Sequence, residues 1–130
     1  MPVKILVTGF EPFGPDAVNA AWEAVSRLPE AIGGAEIVKR RLPVEYEAGP
    51  ARLEALVEEL APDAVLSVGQ AAGRAALTPE LVGINWKDAS LPDNAGVLCQ
   101  GEPIAPDGAD AHFSTLPVKE MVSAIRGAGV

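Results

Sequence analysis

Apolar positions along this chain fall into short runs and helical stripes. Val3, Ile5, Leu6 and Val7 form a β-branched run closed by Gly9. It predicts a buried strand over 3–9, of the kind found at the centre of parallel sheets. Ala64-Val65-Leu66-Ser67-Val68-Gly69 predicts a second such strand over 64–69. A third strand is predicted over 37–44, and its Lys39-Arg40-Arg41 cluster assigns it to an edge of the sheet. Asn19 is a capping residue ahead of Ala20, Ala24 and Leu28, which recur at helical spacing. Leu53, Leu56, Val57 and Leu60 stand at i, i+3, i+4 and i+7, so 49–60 reads as an amphipathic helix stopped by Pro62-Asp63. Gly33-Gly34 breaks the chain between the earlier elements.

A further short strand is predicted over 81–86. Residues 87–110 carry many Asp, Pro and Gly and little periodicity, and read as one long loop. Loops of that length inside a compact domain are usually functional. Ser114-Thr115-Leu116-Pro117 opens a last helix, whose apolar face is Val118, Met121, Val122 and Ile125. Gly127-Ala128-Gly129-Val130 reads as a helix cap followed by the first residue of another strand. The expected fold is therefore α/β: an open, mostly parallel sheet with helices on both faces, truncated at its C-terminus. A length of 130 residues predicts a single domain over 1–130.

Composition narrows the function classes. Hydrophobic residues at 48% and charged residues at 22% exclude a disordered chain. The net charge of −8 argues against nucleic acid or an anionic membrane surface as partner, because these are polyanions. One cysteine, Cys99, allows no internal disulfide and fits a reducing compartment. The N-terminal stretch does not read as a secretory signal, and no apolar run nears the roughly 20 residues that span a bilayer. A cytoplasmic location is expected.

Ligands of open α/β sheets bind beyond the carboxyl ends of the strands. Gly9-Phe10-Glu11-Pro12-Phe13-Gly14 falls at one such end. Its glycine spacing fits neither phosphate-binding motif, which argues against a nucleotide-binding domain. Phe10 and Phe13 either tuck onto the core or line an apolar slot for a small flat group. Gln70, in Gly69-Gln70-Ala71-Ala72-Gly73-Arg74, either belongs to a simple turn or hydrogen-bonds an amide through its donor and acceptor. Glu80 is either an exposed residue at a strand start or a carboxylate that orients a histidine. Cys99 and His112 are the one candidate Cys–His pair, but Cys99 has no helix N-terminus or glycine elbow beside it. A lone histidine gives no metal site.

Five segments, taken in order, resemble the type I pyroglutamyl peptidase family, also called pyrrolidone-carboxylate peptidases. They are Val7-Thr8-Gly9-Phe10-Glu11-Pro12-Phe13-Gly14, Val68-Gly69-Gln70-Ala71-x-Gly73-Arg74, Thr78-Pro79-Glu80-x-Val82-x-Ile84-Asn85, Pro92-Asp93-Asn94-x-Gly96 and Phe113-Ser114-Thr115-Leu116-Pro117. The resemblance implies a cytoplasmic cysteine peptidase of open α/β fold with a Cys–His–Glu triad. Such an enzyme removes N-terminal pyroglutamyl residues from peptides, needs no metal or cofactor, and forms dimers or tetramers. It implies that Glu80 is the acidic triad member, that Phe10 and Phe13 sandwich the pyrrolidone ring, and that Gln70 helps form the substrate site. Two departures stand out. Ser90 occupies the position of an arginine implied to help the oxyanion site. The family's nucleophilic Cys and its His lie beyond the position of Val130, and Cys99 and His112 do not match them. An inactive fragment or a binding-only relative is the alternative the sequence leaves open.

Overall fold

A computed structural model describes residues 2–130. The chain divides into two compact units. The first comprises the residues up to Gln70 together with Leu91–Val97, and the second comprises Ala71–Ser90 with Leu98–Val130.

The first unit is built on a four-stranded sheet. Its elements are β1 (Lys4–Phe10), α1 (Ala20–Ser26), β2 (Ala31–Ile32), β3 (Ala35–Leu42), α2 (Ala48–Leu60) and β4 (Ala64–Ser67). The strand order is β2-β3-β1-β4. β1 runs parallel to both β3 and β4, with Ile5 opposite Ile37 and Ala64. Only the short β2 is antiparallel, turned back onto β3 through Gly33 and Gly34 at φ of +56° and +81°. Left-handed geometry at both turn positions is what glycine supplies without steric cost.

Side-chain alternation along β1 divides the core between the two faces. Leu6 packs with Leu42 of β3 and Leu56 of α2, flanked by Phe10, Leu53 and Leu60. Val7 points to the opposite face, with Val25 of α1 and Ile37, flanked by Trp22 and Leu28. Each fully buried leucine or valine contributes about 1.5–3 kcal/mol, so both helices are held by the strand between them. The helices lie on both faces, as expected. The inward stripe of α1 is Ala21, Trp22 and Val25, continued by Leu28 just past the helix, not Ala20 and Ala24, which are exposed. Asn19 caps this helix, its Oδ1 accepting from the Ala21 N–H at 2.9 Å.

The cationic cluster of β3 lies on an uncovered edge, as expected: among the described residues, Lys39, Arg40 and Arg41 have a strand partner on the β1 side only. β3 lies second in the order, with β2 covering Ala35 and Glu36. Lys39 also serves the end of α1: its Nζ donates to the Leu28 carbonyl at 2.6 Å and the Ser26 carbonyl at 3.5 Å. A cation there complements the negative end of the helix dipole. The Arg41 guanidinium lies 6.0 Å from the Trp22 ring centroid.

α2 ends at Ala61, whose φ of +45° is left-handed without being glycine. That conformation costs an L-residue about 1–2 kcal/mol, part of which a glycine gives back through its larger unfolded entropy. Ala61→Gly is expected to raise stability by about 0.5 kcal/mol. A higher urea midpoint at unchanged denaturant slope is the check.

The second unit contains two antiparallel pairs and a helix. β5 (Val82–Ile84) pairs with β8 (Ala111–Phe113), β6 (Lys87–Asp88) pairs with β7 (Gln100–Glu102), and α3 spans Val118–Gly127. The expected structureless loop over 87–110 therefore holds two short strands. They are joined further by the Ala89 N–H donating to the Cys99 carbonyl at 2.8 Å and by an ion pair between Lys87 and Glu102 at 3.9 Å. The strand predicted over 81–86 is shorter than expected, and β5 is exposed along its length. Val118, Met121, Val122 and Ile125 of α3 are all half-buried, as its periodicity predicts. The helix closes on a left-handed Gly129, with the Val130 N–H donating to the Ile125 carbonyl and the Gly129 N–H to the Arg126 carbonyl. This is the double hydrogen bond of a glycine-capped helix end.

Candidate functional site

The Phe10–Gly14 segment leaves the carboxyl end of β1, where an open α/β sheet places its ligands. Five hydrogen bonds fix it. The Glu11 N–H donates to the Leu42 carbonyl at 2.9 Å, extending the β1–β3 ladder by one residue. The Glu11 carbonyl accepts from Asn19 Nδ2 at 3.1 Å. The Glu11 carboxylate accepts, through one oxygen, from the Val44 N–H and from Asn94 Nδ2, each at 3.1 Å. The same Asn94 Nδ2 donates to the Pro12 carbonyl at 2.8 Å. Gly14 then turns the chain at φ +60°.

Phe10 and Phe13 are both half-buried. Phe10 takes the first of the two roles the sequence leaves open, packing onto the core. It leans on the Leu6–Leu42–Leu56 cluster, and its Cε2 lies 3.9 Å from where a Cβ on Gly69 would stand. Gln70 follows that glycine and is exposed. Its Oε1 accepts from the Ala20 N–H at 2.8 Å, so one lone pair of its carbonyl end is committed to the start of α1. The amide Nε2 has no hydrogen-bond partner among the described residues. The side chain thus offers a ligand both donors of Nε2 and one remaining lone pair of Oε1.

Asn94 belongs to a turn whose anchor is Asp93. That side chain is buried and accepts from the N–H groups of Tyr46 at 2.7 Å, Val97 at 2.8 Å and Ala95 at 2.9 Å. These bonds, Tyr46 foremost, hold its carboxyl below the ordinary aspartate value against the upward push of burial. A depressed folded-state pKa stabilises the fold above the unfolded value of about 3.9, and that stability is lost as pH falls through the folded value. Asp93→Asn cannot carry the charge. Its urea midpoint is expected to lie below that of the unaltered protein at pH 7 and to fall less between pH 5 and pH 2. Parallel loss of stability in the two proteins contradicts this reading.

Glu80 lies in the second unit. Its carboxylate is exposed, two residues ahead of β5, and Arg74 Nη1 stands 3.3 Å from its Oε1 and 2.8 Å from the Thr78 hydroxyl. The sequence reading did not assign Arg74 a part in holding Glu80. Cys99 is 2% exposed, the setting of a packing cysteine, whereas a nucleophile needs access. His112 is exposed on β8, opposite Gly83. Ser90 is exposed. Among the described residues, no group of three His, Cys, Asp or Glu side chains is placed to hold a metal ion. A surface groove of about 640 Å³ lies over β2 and β3, lined by Glu30, Ile37 and Arg40, and includes none of Phe10, Phe13, Gln70 or Glu80.

Sequence reasoning noted Asn94 only as part of a motif and gave Glu11 no role of its own. The Pro-Asp-Asn-x-Gly string signals a turn. Nothing local signals that the turn reaches a loop 83 residues earlier.

Comparison with known proteins bears on the family and the fold. The family model described as pyroglutamyl peptidase matches residues 3–130. The pyrrolidone-carboxylate peptidase of Thermococcus onnurineus (strain NA1) is 48% identical over 128 residues, covering 98% of this chain and 64% of that protein. The corresponding protein of Lactobacillus johnsonii is 51% identical, with 98% and 60% covered. Among solved structures, pyroglutamyl peptidase I of Bacillus amyloliquefaciens superposes with a TM-score of 0.94 at 42% identity, covering 98% of this chain and 63% of that one. Pyrrolidone carboxyl peptidase of Pyrococcus furiosus gives 0.93 at 40%, with 98% and 62% covered. The chain spans about three fifths of the length of these relatives. It belongs to the pyroglutamyl peptidase family.

Proposed function

We propose that this chain belongs to a cysteine-type omega peptidase that removes N-terminal pyroglutamyl residues from peptides. The observation that carries the reading is the Phe10–Phe13 loop, held by hydrogen bonds at the carboxyl end of β1 in a member of this family. A flat lactam suits a slot between aromatic faces. Its ring carbonyl needs a donor, and Gln70 Nε2 offers one. In the mechanism, a thiolate forms a bond to the pyroglutamyl carbonyl carbon, and the C–N bond to the next residue breaks. The imidazole that took the thiol proton delivers it to the departing amine, and water then hydrolyses the thioester. Glu80 holds that imidazole in the required orientation. The resemblance assigns the thiol and the imidazole to the part of the relatives beyond the matched span.

The wider reading is of one α/β peptidase domain acting in the cytoplasm as a homo-oligomer, a dimer or tetramer, without metal or cofactor. One cysteine in these 130 residues fits a reducing compartment. No described helix is long and apolar enough to cross a membrane.

A binding-only relative is the second reading: the buried Cys99 cannot stand in for a nucleophile, so without the part beyond the matched span the chain has only its binding loop. A fluorogenic pyroglutamyl amide, combined with the intact mass of the protein as its cell makes it, separates the two. Release of the fluorophore by a protein heavier than 13.4 kDa supports the peptidase. Saturable binding without release, at 13.4 kDa, supports the binding-only relative.

A further inference from the structure

We infer that Asn94 and Glu11 are positioning residues that set the Phe10–Phe13 loop for the ring it receives. The inference rests on the pyroglutamyl reading and adds to it the groups that shape the slot. Glu11 sits between the two aromatic residues in sequence, but its carboxylate faces the protein. One of its oxygens takes both the Val44 N–H and Asn94 Nδ2. Asn94 answers with three bonds. Its side-chain amide donates to the Glu11 carboxylate and the Pro12 carbonyl, and its backbone N–H donates to the Val44 carbonyl at 2.9 Å. The residue is thus a staple joining the Phe10 loop to the segment after β3. The staple is itself immobilised, because the neighbouring Asp93 carboxylate is buried and bonded to three backbone N–H groups.

The arrangement has a chemical logic. A loop presenting two half-buried phenyl rings loses order easily, since its backbone makes few ladder bonds. An aromatic slot that must be ordered by its ligand binds that ligand more weakly than one already formed. Two side-chain amide hydrogens fix two consecutive residues of the loop, Glu11 and Pro12, which lie between the rings. Both donors of Asn94 Nδ2 are used, and neither is left for the ligand. Asn94 therefore acts through the loop and not by touching the ring.

The test uses the full protein, a fluorogenic pyroglutamyl amide and amide hydrogen exchange. Asn94→Ala and Glu11→Ala are each expected to raise KM about tenfold with kcat changed less than about threefold, the signature of lost ground-state binding. Exchange at the Val44 N–H is expected to rise by about tenfold or more. Glu11→Gln keeps one carbonyl oxygen for both donors and is expected to recover most of the affinity lost in Glu11→Ala. General damage to the fold lowers the active fraction, and so lowers apparent kcat at unchanged KM. That result, or an unchanged KM in both alanine variants, overturns the proposal. Failure of the unaltered protein to bind or cleave the amide overturns the pyroglutamyl reading and the ring-positioning role with it. The exchange result still reports separately whether Asn94 orders the loop.

Discussion

Glu80→Gln is expected to lower kcat for a pyroglutamyl amide by about 10⁴-fold while KM moves less than about threefold. Glutamine keeps the shape of glutamate and removes the charge. An imidazole held by a carboxylate keeps the correct tautomer and gains stabilisation when it takes up the thiol proton. Held by an amide, it loses both. The fold does not depend on this carboxylate. Its ion pair with Arg74 joins side chains that are 74% and 53% exposed, and pairs of that kind contribute about 0–1 kcal/mol. The variant is therefore expected to unfold at the same urea concentration as the unaltered protein. Steady-state kinetics beside an unfolding curve tests both halves. An unchanged kcat removes Glu80 from the chemistry, and a large drop in stability assigns it a structural role.

Gly9→Val is expected to prevent folding, and Gly9→Ala to cost about 2–3 kcal/mol. Gly9 is the next-to-last residue of β1, and α1 crosses directly over it. A Cβ at Gly9 would stand 2.9 Å from Trp22 Cα, 3.0 Å from Trp22 N and 3.2 Å from the Ala21 carbonyl carbon. All three are backbone atoms, so no rotamer change relieves the contact. Relief requires moving the helix whose first residues are held by Asn19 and Gln70. Against a total stability of about 5–15 kcal/mol, a methyl group is survivable and an isopropyl group is not. Urea unfolding of Gly9→Ala is the accessible measurement. A midpoint within about 0.5 kcal/mol of the unaltered protein shows that the helix yields freely.

The parts of the fold legible in the sequence are those whose burial leaves a periodic mark. β1 is readable because Leu6 and Val7 serve opposite faces, which forces a continuous apolar run. α2 is readable because Leu53, Leu56 and Leu60 repeat at helical spacing against one cluster. The β6–β7 arm left no such mark. Its strands have two and three residues with little burial, so there is no alternation to detect. The cluster at Lys39 marks the part of β3 that β2 leaves uncovered, and what no pattern shows is that Lys39 also reaches the end of α1. The site was legible in the same uneven way. Phe10, Phe13 and Gln70 stand out at strand ends. The side chains that hold the loop do not, because hydrogen bonds between residues 11 and 94 obey no local spacing.

The position of β1 sets a timetable for synthesis. It is the first strand made, yet it is internal in the sheet, and Thr8 meets its partner Ser67 only 59 residues later. At about 5–20 residues per second, the newly made strand waits roughly 3–12 seconds for that neighbour. The aromatic loop waits longer, since its last two bonds come from residue 94. A nascent chain whose emerged part ends between Ser67 and Asn94 carries the whole four-stranded sheet but an unstapled loop. Ribosome-bound chains of graded length should therefore gain protection of the sheet before they gain protection of the segment that carries the two phenylalanines.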